Sequence, residues 1–134
     1  MGSWLYNPDG SKAAIFHALV CAAEGEHRIL TADWSDLLGV VLTPTGFVQD
    51  PTTVFGQLEG EAKAADAGAE LQILEVDTDR ILMRLPIAVG DWTVFKNFTD
   101  APSAGTNRYR VQGRLNGATS ASIRYFTLAL LEKV

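Results

Sequence analysis

Leu71-Gln72-Ile73-Leu74-Glu75-Val76-Asp77-Thr78-Asp79-Arg80-Ile81-Leu82-Met83-Arg84-Leu85 decides how this chain folds. Two apolar, β-prone runs flank Asp77-Thr78-Asp79, a set of turn formers, and the pattern predicts a β-hairpin. Pro86 is expected to end the second strand, because it has no N–H to give to a ladder. Downstream, Gly90-Asp91 turns into a strand at Trp92-Thr93-Val94-Phe95. A loop rich in Pro, Gly, Ser and Ala follows from Thr99 to Asn107, then an alternating strand, Arg108 to Gln112. Asn116-Gly117 opens a connection to a long final strand, Ser122 to Leu131.

Upstream of the hairpin the signals are mixed. Gly39 to Thr43 and Thr53 to Leu58 read as short strands around the turn Pro44-Thr45-Gly46. Gly60 to Gly68 has helix-forming alanines but flanking glycines and no large apolar residue, which favours an exposed mobile loop. Asn7 to Ser11 is turn chemistry leading into a helix over Lys12 to Ala23, with Ile15, Ala18, Leu19 and Ala22 on one stripe and Gly25 as its cap. Thr31 to Asp36 reads as a second capped turn, with Asp33 and Asp36 as helix-start acids. The expected fold is mainly β with one N-terminal helix (α+β), a small antiparallel β-barrel or sandwich. The organisation is a single domain, 1–134, with the helix at about 11–24 and the β-domain at about 38–132.

Composition narrows the function. The chain has 134 residues, 47% hydrophobic and 20% charged, which suits a folded domain rather than a disordered one. It has no apolar run long enough for a membrane helix and no basic n-region at its start, and Tyr6 stands where a myristoylation motif needs Ser or Thr. Its single cysteine, Cys21, excludes an intrachain disulfide. The net charge of −5 argues against non-specific wrapping of nucleic acid. Charge is uneven: residues through Asp79 carry 13 acids and 3 bases, those from Arg80 onward 3 acids and 8 bases. Either folding interleaves the two parts, or the surface is polarised and packs positive flank to negative flank.

Chemistry-bearing motifs are sparse. His17 and Cys21 would share one helix face at i, i+4, but a metal site needs more ligands, and a packed thiol explains Cys21 better. Asp77 and Asp79 fit a solvated hairpin tip better than an acid–base pair. No G-x-G-x-x-G, Walker or G-x-S-x-G pattern occurs. No catalytic residue, metal or cofactor is expected, and the chain is not read as an enzyme.

The order of features resembles the head–tail joining proteins of tailed phages, the group that includes lambda's tail attachment protein. Gly90-Asp91 before a strand, Tyr109-x-Val111 within one and the terminal strand Ile123 to Leu131 carry the resemblance, which spans about Ser11 to Glu132. The basic residue that precedes Gly-Asp in that group is missing, and the insertion from Lys96 to Arg108 is longer. The resemblance implies a structural virion subunit made in the bacterial host cytoplasm: a head–tail connector or neck ring, or alternatively a capsid-decoration or tail protein. It implies a homo-oligomeric ring near packaged DNA, with portal, adaptor or tail proteins as partners and neither a membrane nor sequence-specific nucleic-acid contact. Glu59, Glu61, Lys63, Asp66, Arg108, Arg110, Arg114 and Arg124 are the candidate assembly contacts, with loops Glu59 to Gly68 and Thr99 to Asn107 ordering on contact. Two other readings compete. One is a small-ligand-binding β-barrel module or enzyme with Trp92, Phe95 and Phe98 lining an interior pocket. The other is a single-stranded nucleic-acid binder using the arginine strands.

Overall fold

The structure, a computed structural model, describes residues 4–6, 12–15, 18–43 and 54–132, with side chains over 24–43 and 55–129. These residues form β1 (Trp4–Tyr6), β2 (Lys12–Ile15), β3 (Ala18–Ile29), β4 (Ser35–Leu42), β5 (Val54–Ala64), β6 (Gly68–Glu75), β7 (Arg80–Ile87), β8 (Thr93–Phe98), β9 (Asn107–Asn116) and β10 (Ala121–Glu132). Strands β3-β10-β5-β8 make a first sheet and β4-β9-β6-β7 a second, with β1-β2 as a separate pair. Every strand pair within the sheets is antiparallel. The two large sheets pack face to face as a sandwich rather than closing into a barrel.

Alternation explains the packing. On β6, Ala69, Leu71 and Ile73 point inward; on β9, Tyr109 and Val111 do; on β10, Ile123, Phe126 and Leu128 do. Leu58 and Ala62 of β5 and Ile29 of β3 complete the inner face of the first sheet. Each large apolar side chain so buried contributes about 1.5–3 kcal/mol. The hairpin expected from Leu71 to Leu85 is present as β6 and β7, with Asp79 in the left-handed region (φ 54°) at its turn. Pro86 does not end β7. It pairs with Glu70 on a strand at the sheet edge, where a missing N–H faces no neighbour.

Three expectations fail. No helix occurs among the described residues: Lys12–Ile15 and Ala18–Ile29 are strands. Alanine's helix preference is worth a few tenths of a kcal/mol per residue, while β3 gains ten paired positions along β10, from Ala18↔Leu131 to Ile29↔Ala121. The capped turn at Thr31 to Asp36 is the crossing between sheets, and its last two residues begin β4. The mobile loop expected at Gly60 to Gly68 is mostly strand. β5 runs to Ala64, and only residues 65–67 turn before β6. The turn at Pro44-Thr45-Gly46 lies outside the described residues.

Gly60 is set at its position by a close approach. β10 carries a bulge at Tyr125 (φ 51°), and Gly60 faces it. A Cβ on Gly60 would lie 2.8 Å from the Phe126 Cβ and 2.9 Å from its Cα. Neither backbone can retreat without breaking a ladder.

At the far end of the sandwich a carboxylate occupies an inward position. Glu75 continues the alternation of β6 and is fully buried. It accepts hydrogen bonds from the Ser103 N–H (2.9 Å) and the hydroxyls of Ser103 and Thr78, with Arg80 3.8 Å away. Burial raises its pKa, but the bonds from Ser103 and Thr78 together outweigh that and hold the group below its ordinary value. Glu75 thereby anchors the 99–106 loop through Ser103.

Two outcomes follow. Gly60→Ala lowers unfolding free energy by about 1–3 kcal/mol, the range for overpacking, read as a lower urea midpoint at unchanged slope. The Glu75 contribution is complete above its unfolded pKa near 4.5 and is lost as pH falls through the depressed folded value. The urea midpoint therefore drops as pH falls below the unfolded value of 4.5, and Glu75→Gln, less stable at neutral pH, shows a shallower drop.

Candidate functional site

Three turns meet at one end of the sandwich: 65–67 between β5 and β6, 88–92 between β7 and β8, and 117–120 between β9 and β10. Backbone bonds tie them together. The Ala65 N–H donates to the Ser120 carbonyl (3.0 Å), Gly90 to Ala64 (3.0 Å), Ala64 to Ala88 (3.1 Å) and Ala118 to Gly68 (3.1 Å). The Asp66 carboxylate accepts from the Thr119 N–H (2.9 Å) and hydroxyl (3.1 Å). Such cross-tied turns form a rigid rim.

Beside this rim, the outer face of the first sheet holds a groove of about 450 Å³ lined by Glu26, Arg28, Lys63, Ala65, Gly90, Ser120, Ala121 and Ser122. Alternation places its side chains. Lys63 lies between inward Ala62 and Ala64, Ser122 between inward Ala121 and Ile123, and Arg28 just before inward Ile29. Ser122 pairs with Arg28 on one side and Lys63 on the other, so the three form one line across β3, β10 and β5. In the next line Arg124 faces Glu26 and Glu61. Its Nε donates to Glu61 at 2.6 Å, and its guanidinium lies 3.9 Å from the Trp92 ring centroid. The Lys63 ammonium is 4.7 Å from the same ring. Trp92 thus fixes two cations by cation–π attraction. Beyond it Val94, Tyr125 and Phe98 stand exposed on the same face.

The outer face of the second sheet is polar too, but it spends its groups on itself. Gln112 donates to Asp36 (2.8 Å), Gln72 donates to Gln112 (2.8 Å) and Arg84 donates to Gln72 (2.8 Å), a chain across all four strands. Trp34 lies over it, 4.5 Å from the Arg114 guanidinium and 5.1 Å from that of Arg84.

The sequence-expected residues distribute as follows. Glu61, Lys63 and Arg124 come together beside Trp92, while Glu59 is exposed further along β5 opposite Lys96, and Asp66 is a turn tie. Arg108, Arg110 and Arg114 sit on the second sheet, paired with Asp77 (2.8 Å), Asp36 (3.2 Å) and Glu70 (3.0 Å). The arginines therefore form no common basic strip, and Asp77 serves Arg108 rather than Asp79. Trp92, Phe95 and Phe98 do not line an interior pocket: Trp92 and Phe98 face outward, and Phe95 packs against a filled core. Among the described residues no group of three or more His, Cys, Asp or Glu is placed to hold a metal. Cys21 lies in β3 instead of on a helix face, and His17 lies outside the described residues. Sequence reasoning missed Glu26, Arg28, Ser120 and Ser122. For Arg28 and Ser122 the signal was parity, each next to an inward apolar residue once β3 is known to be a strand; Glu26 and Ser120 gave no such signal.

No family model and no curated protein matches the chain. Solved structures similar to it include the C-terminal carbohydrate-binding module (CBM6) of LamC, a marine laminarinase from Zobellia galactanivorans, with 11% identity, TM-score 0.49, and 95% of this chain and 86% of that one covered. A protein of the disulfide-linked pili of Bacillus endospore appendages is similar at 7% identity and TM-score 0.47, covering 87% and 88%. The CBM22-1–GH10 modules of Clostridium thermocellum xylanase 10B, complexed with xylohexaose, are similar at 12% identity and TM-score 0.44, covering all of this chain and 24% of that one. The expected place among phage head–tail joining proteins is overturned. The helix that opened the resemblance is strand, paired along β10 in a two-sheet sandwich. Its motif residues have local roles: Tyr109 and Val111 are core, and the Asp91 Oδ1 accepts from the Trp92 N–H at 2.7 Å. The connector, tail and decoration readings fall with it.

The turn tie is testable. Asp66→Ala speeds amide hydrogen exchange at Thr119 by about tenfold, as loss of a charge-assisted bond requires, and leaves Ile123 in the core ladder unchanged.

Proposed function

We propose that this chain is a non-catalytic binding module whose groove beside Trp92 holds a polyhydroxylated ligand, a saccharide. The observation that carries the reading is the groove itself: about 450 Å³ on an outer sheet face, lined by two serines, a carboxylate and two cations. That volume falls within the range of small-ligand sites. The lining offers donors and acceptors in quantity and little apolar wall, which suits a ligand that replaces water hydrogen bonds one for one. The tied turns keep the rim in place, so binding orders little protein.

The exposed side chains beyond the groove favour a chain over a single sugar. Val94 and Phe98 stand on one face of β8, four residues or roughly 13 Å apart, with Tyr125 on the neighbouring surface. Aromatic and apolar side chains in such an array pack against the C–H faces of successive rings. The cross-bonded face around Trp34 has no comparable free capacity.

The test is titration with soluble oligosaccharides of increasing length, followed by calorimetry and by amide chemical shifts. Binding that strengthens with length and perturbs Ser120, Ser122 and Gly90 is expected. Trp92→Ala weakens it by about tenfold, in line with loss of a positioned aromatic. Shifts confined to the Trp34 face, or no binding to any oligosaccharide, overturn the reading.

A further inference from the structure

We infer that the saccharide held by this groove is acidic, with its anionic group read by Arg28 and Lys63 across Ser122; the inference rests on the binding reading above and names its ligand class. The first observation is the disposition of cations. Arg80, Arg108, Arg110, Arg114 and Arg124 each have a carboxylate within 4 Å. Among the described side chains Arg28, Lys63, Arg84 and Lys96 have none; Arg84 is spent on Gln72 at 2.8 Å and Lys96 stands apart on β8, whereas Arg28 and Lys63 share the groove, in a chain of net charge −5. Of the three bases that precede Asp79, these two line the same groove.

The second observation is their geometry. The Cα partners run Arg28, Ser122, Lys63, so the outer two backbones are about 10 Å apart, two strand spacings. Both side chains are long enough to converge above Ser122, which is only 6% exposed and forms the floor. Lys63 is steadied by the Trp92 ring at 4.7 Å instead of by a carboxylate, so its three N–H donors remain unspent. A guanidinium, an ammonium and a hydroxyl around one point make a receptor for a carboxylate or sulfate.

The third observation separates a sugar acid from a bare polyanion. Glu26 lines the groove two residues from Arg28 and faces Arg124, which is already bonded to Glu61. A carboxylate there repels a ligand charged at every unit of a phosphate backbone. It accepts from a sugar hydroxyl next to the anionic group.

The experiment compares a neutral oligosaccharide bearing a single uronic acid, its methyl ester and a single-stranded oligodeoxynucleotide, each titrated against the full chain. The acidic oligosaccharide is expected to bind about tenfold tighter than the ester at low salt, with the margin shrinking as salt screens the charges. Arg28→Gln and Lys63→Gln each remove most of that margin between acid and ester; Arg110→Gln, on the other sheet, leaves both affinities unchanged. Equal affinity for acid and ester overturns the inference and leaves the saccharide reading standing. Equal loss in the Arg110→Gln control, or oligonucleotide binding as tight as the acid's, also overturns it, since bulk charge then explains the data. Binding of neither oligosaccharide overturns both. Urea midpoints equal to that of the unsubstituted chain show that the variants are folded.

Discussion

Cross-strand pairing of the chain's acidic part with its basic part is the constraint on which the rest of the structure depends. Every ion pair among the described residues joins an acid at or before Asp77 to an arginine at or after Arg80. The topology produces this. β9 lies between β4 and β6, and β10 lies between β3 and β5, so late basic strands are inserted between early acidic ones. Apart from the pair at buried Glu75, each has a half-exposed to exposed arginine and by itself contributes about 0–1 kcal/mol. Their collective effect is on register. A slip of one residue would set Arg110 and Arg114 facing inward and separate every pair at once. The sequence offered two outcomes for its charge asymmetry, and the ion pairs among the described residues realise interleaving.

Interleaving also defines what is left over. A strand order that neutralises late arginines with early acids gives no such partner to the early bases, and Arg28 and Lys63 are on the outer face of the first sheet for that reason. The groove is thus a by-product of topology as much as of local residue choice. The opposite end of the sandwich solves a different problem with Glu75. There an inward carboxylate collects Ser103 and Thr78 and converts a Pro-, Gly- and Ser-rich loop into a fixed closure of the core. One end holds its charge inside and saturated, the other outside and unsaturated, and only the second has chemistry to offer a ligand.

Most of the β-structure was legible in the sequence. The hairpin, the strand after Gly90-Asp91 and the final strand were read within a few residues, because alternation and turn formers agree there. The N-terminal region was not legible. Ala13, Ala14, Ala18, Ala22 and Ala23 speak locally for helix, and only the long ladder with β10 makes strand the better solution. Gly60 to Gly68 failed for a related reason. Its small residues mark close approach to a bulge, which a single sequence presents in the same form as a loop. Of the site, Lys63, Arg124 and Trp92 were singled out, but the aromatics were placed inside, where the structure has Trp92 facing outward. Arg28, Glu26 and Ser122 were invisible while β3 was read as helix, since their common face exists only once β3 and β10 pair.

The bulge at Tyr125 links the scaffold to the groove. Without it β10 would alternate regularly, and either Arg124 or Phe126 would sit on the wrong face. With Tyr125 at positive φ, Arg124 faces outward to Trp92 and Glu61 while Phe126 returns to the core against His27. The bulge needs a partner strand without a Cβ opposite it, and Gly60 provides that. Trp92 in turn holds Lys63 as well as Arg124, so the position of a groove cation depends on a backbone irregularity one strand away. Irregularities of this kind recur beside functional sites because they re-aim side chains at the expense of local ladder energy. Here the re-aimed residue is the one that, by occupying Glu61 and one part of the Trp92 ring, leaves Lys63 free to face the groove.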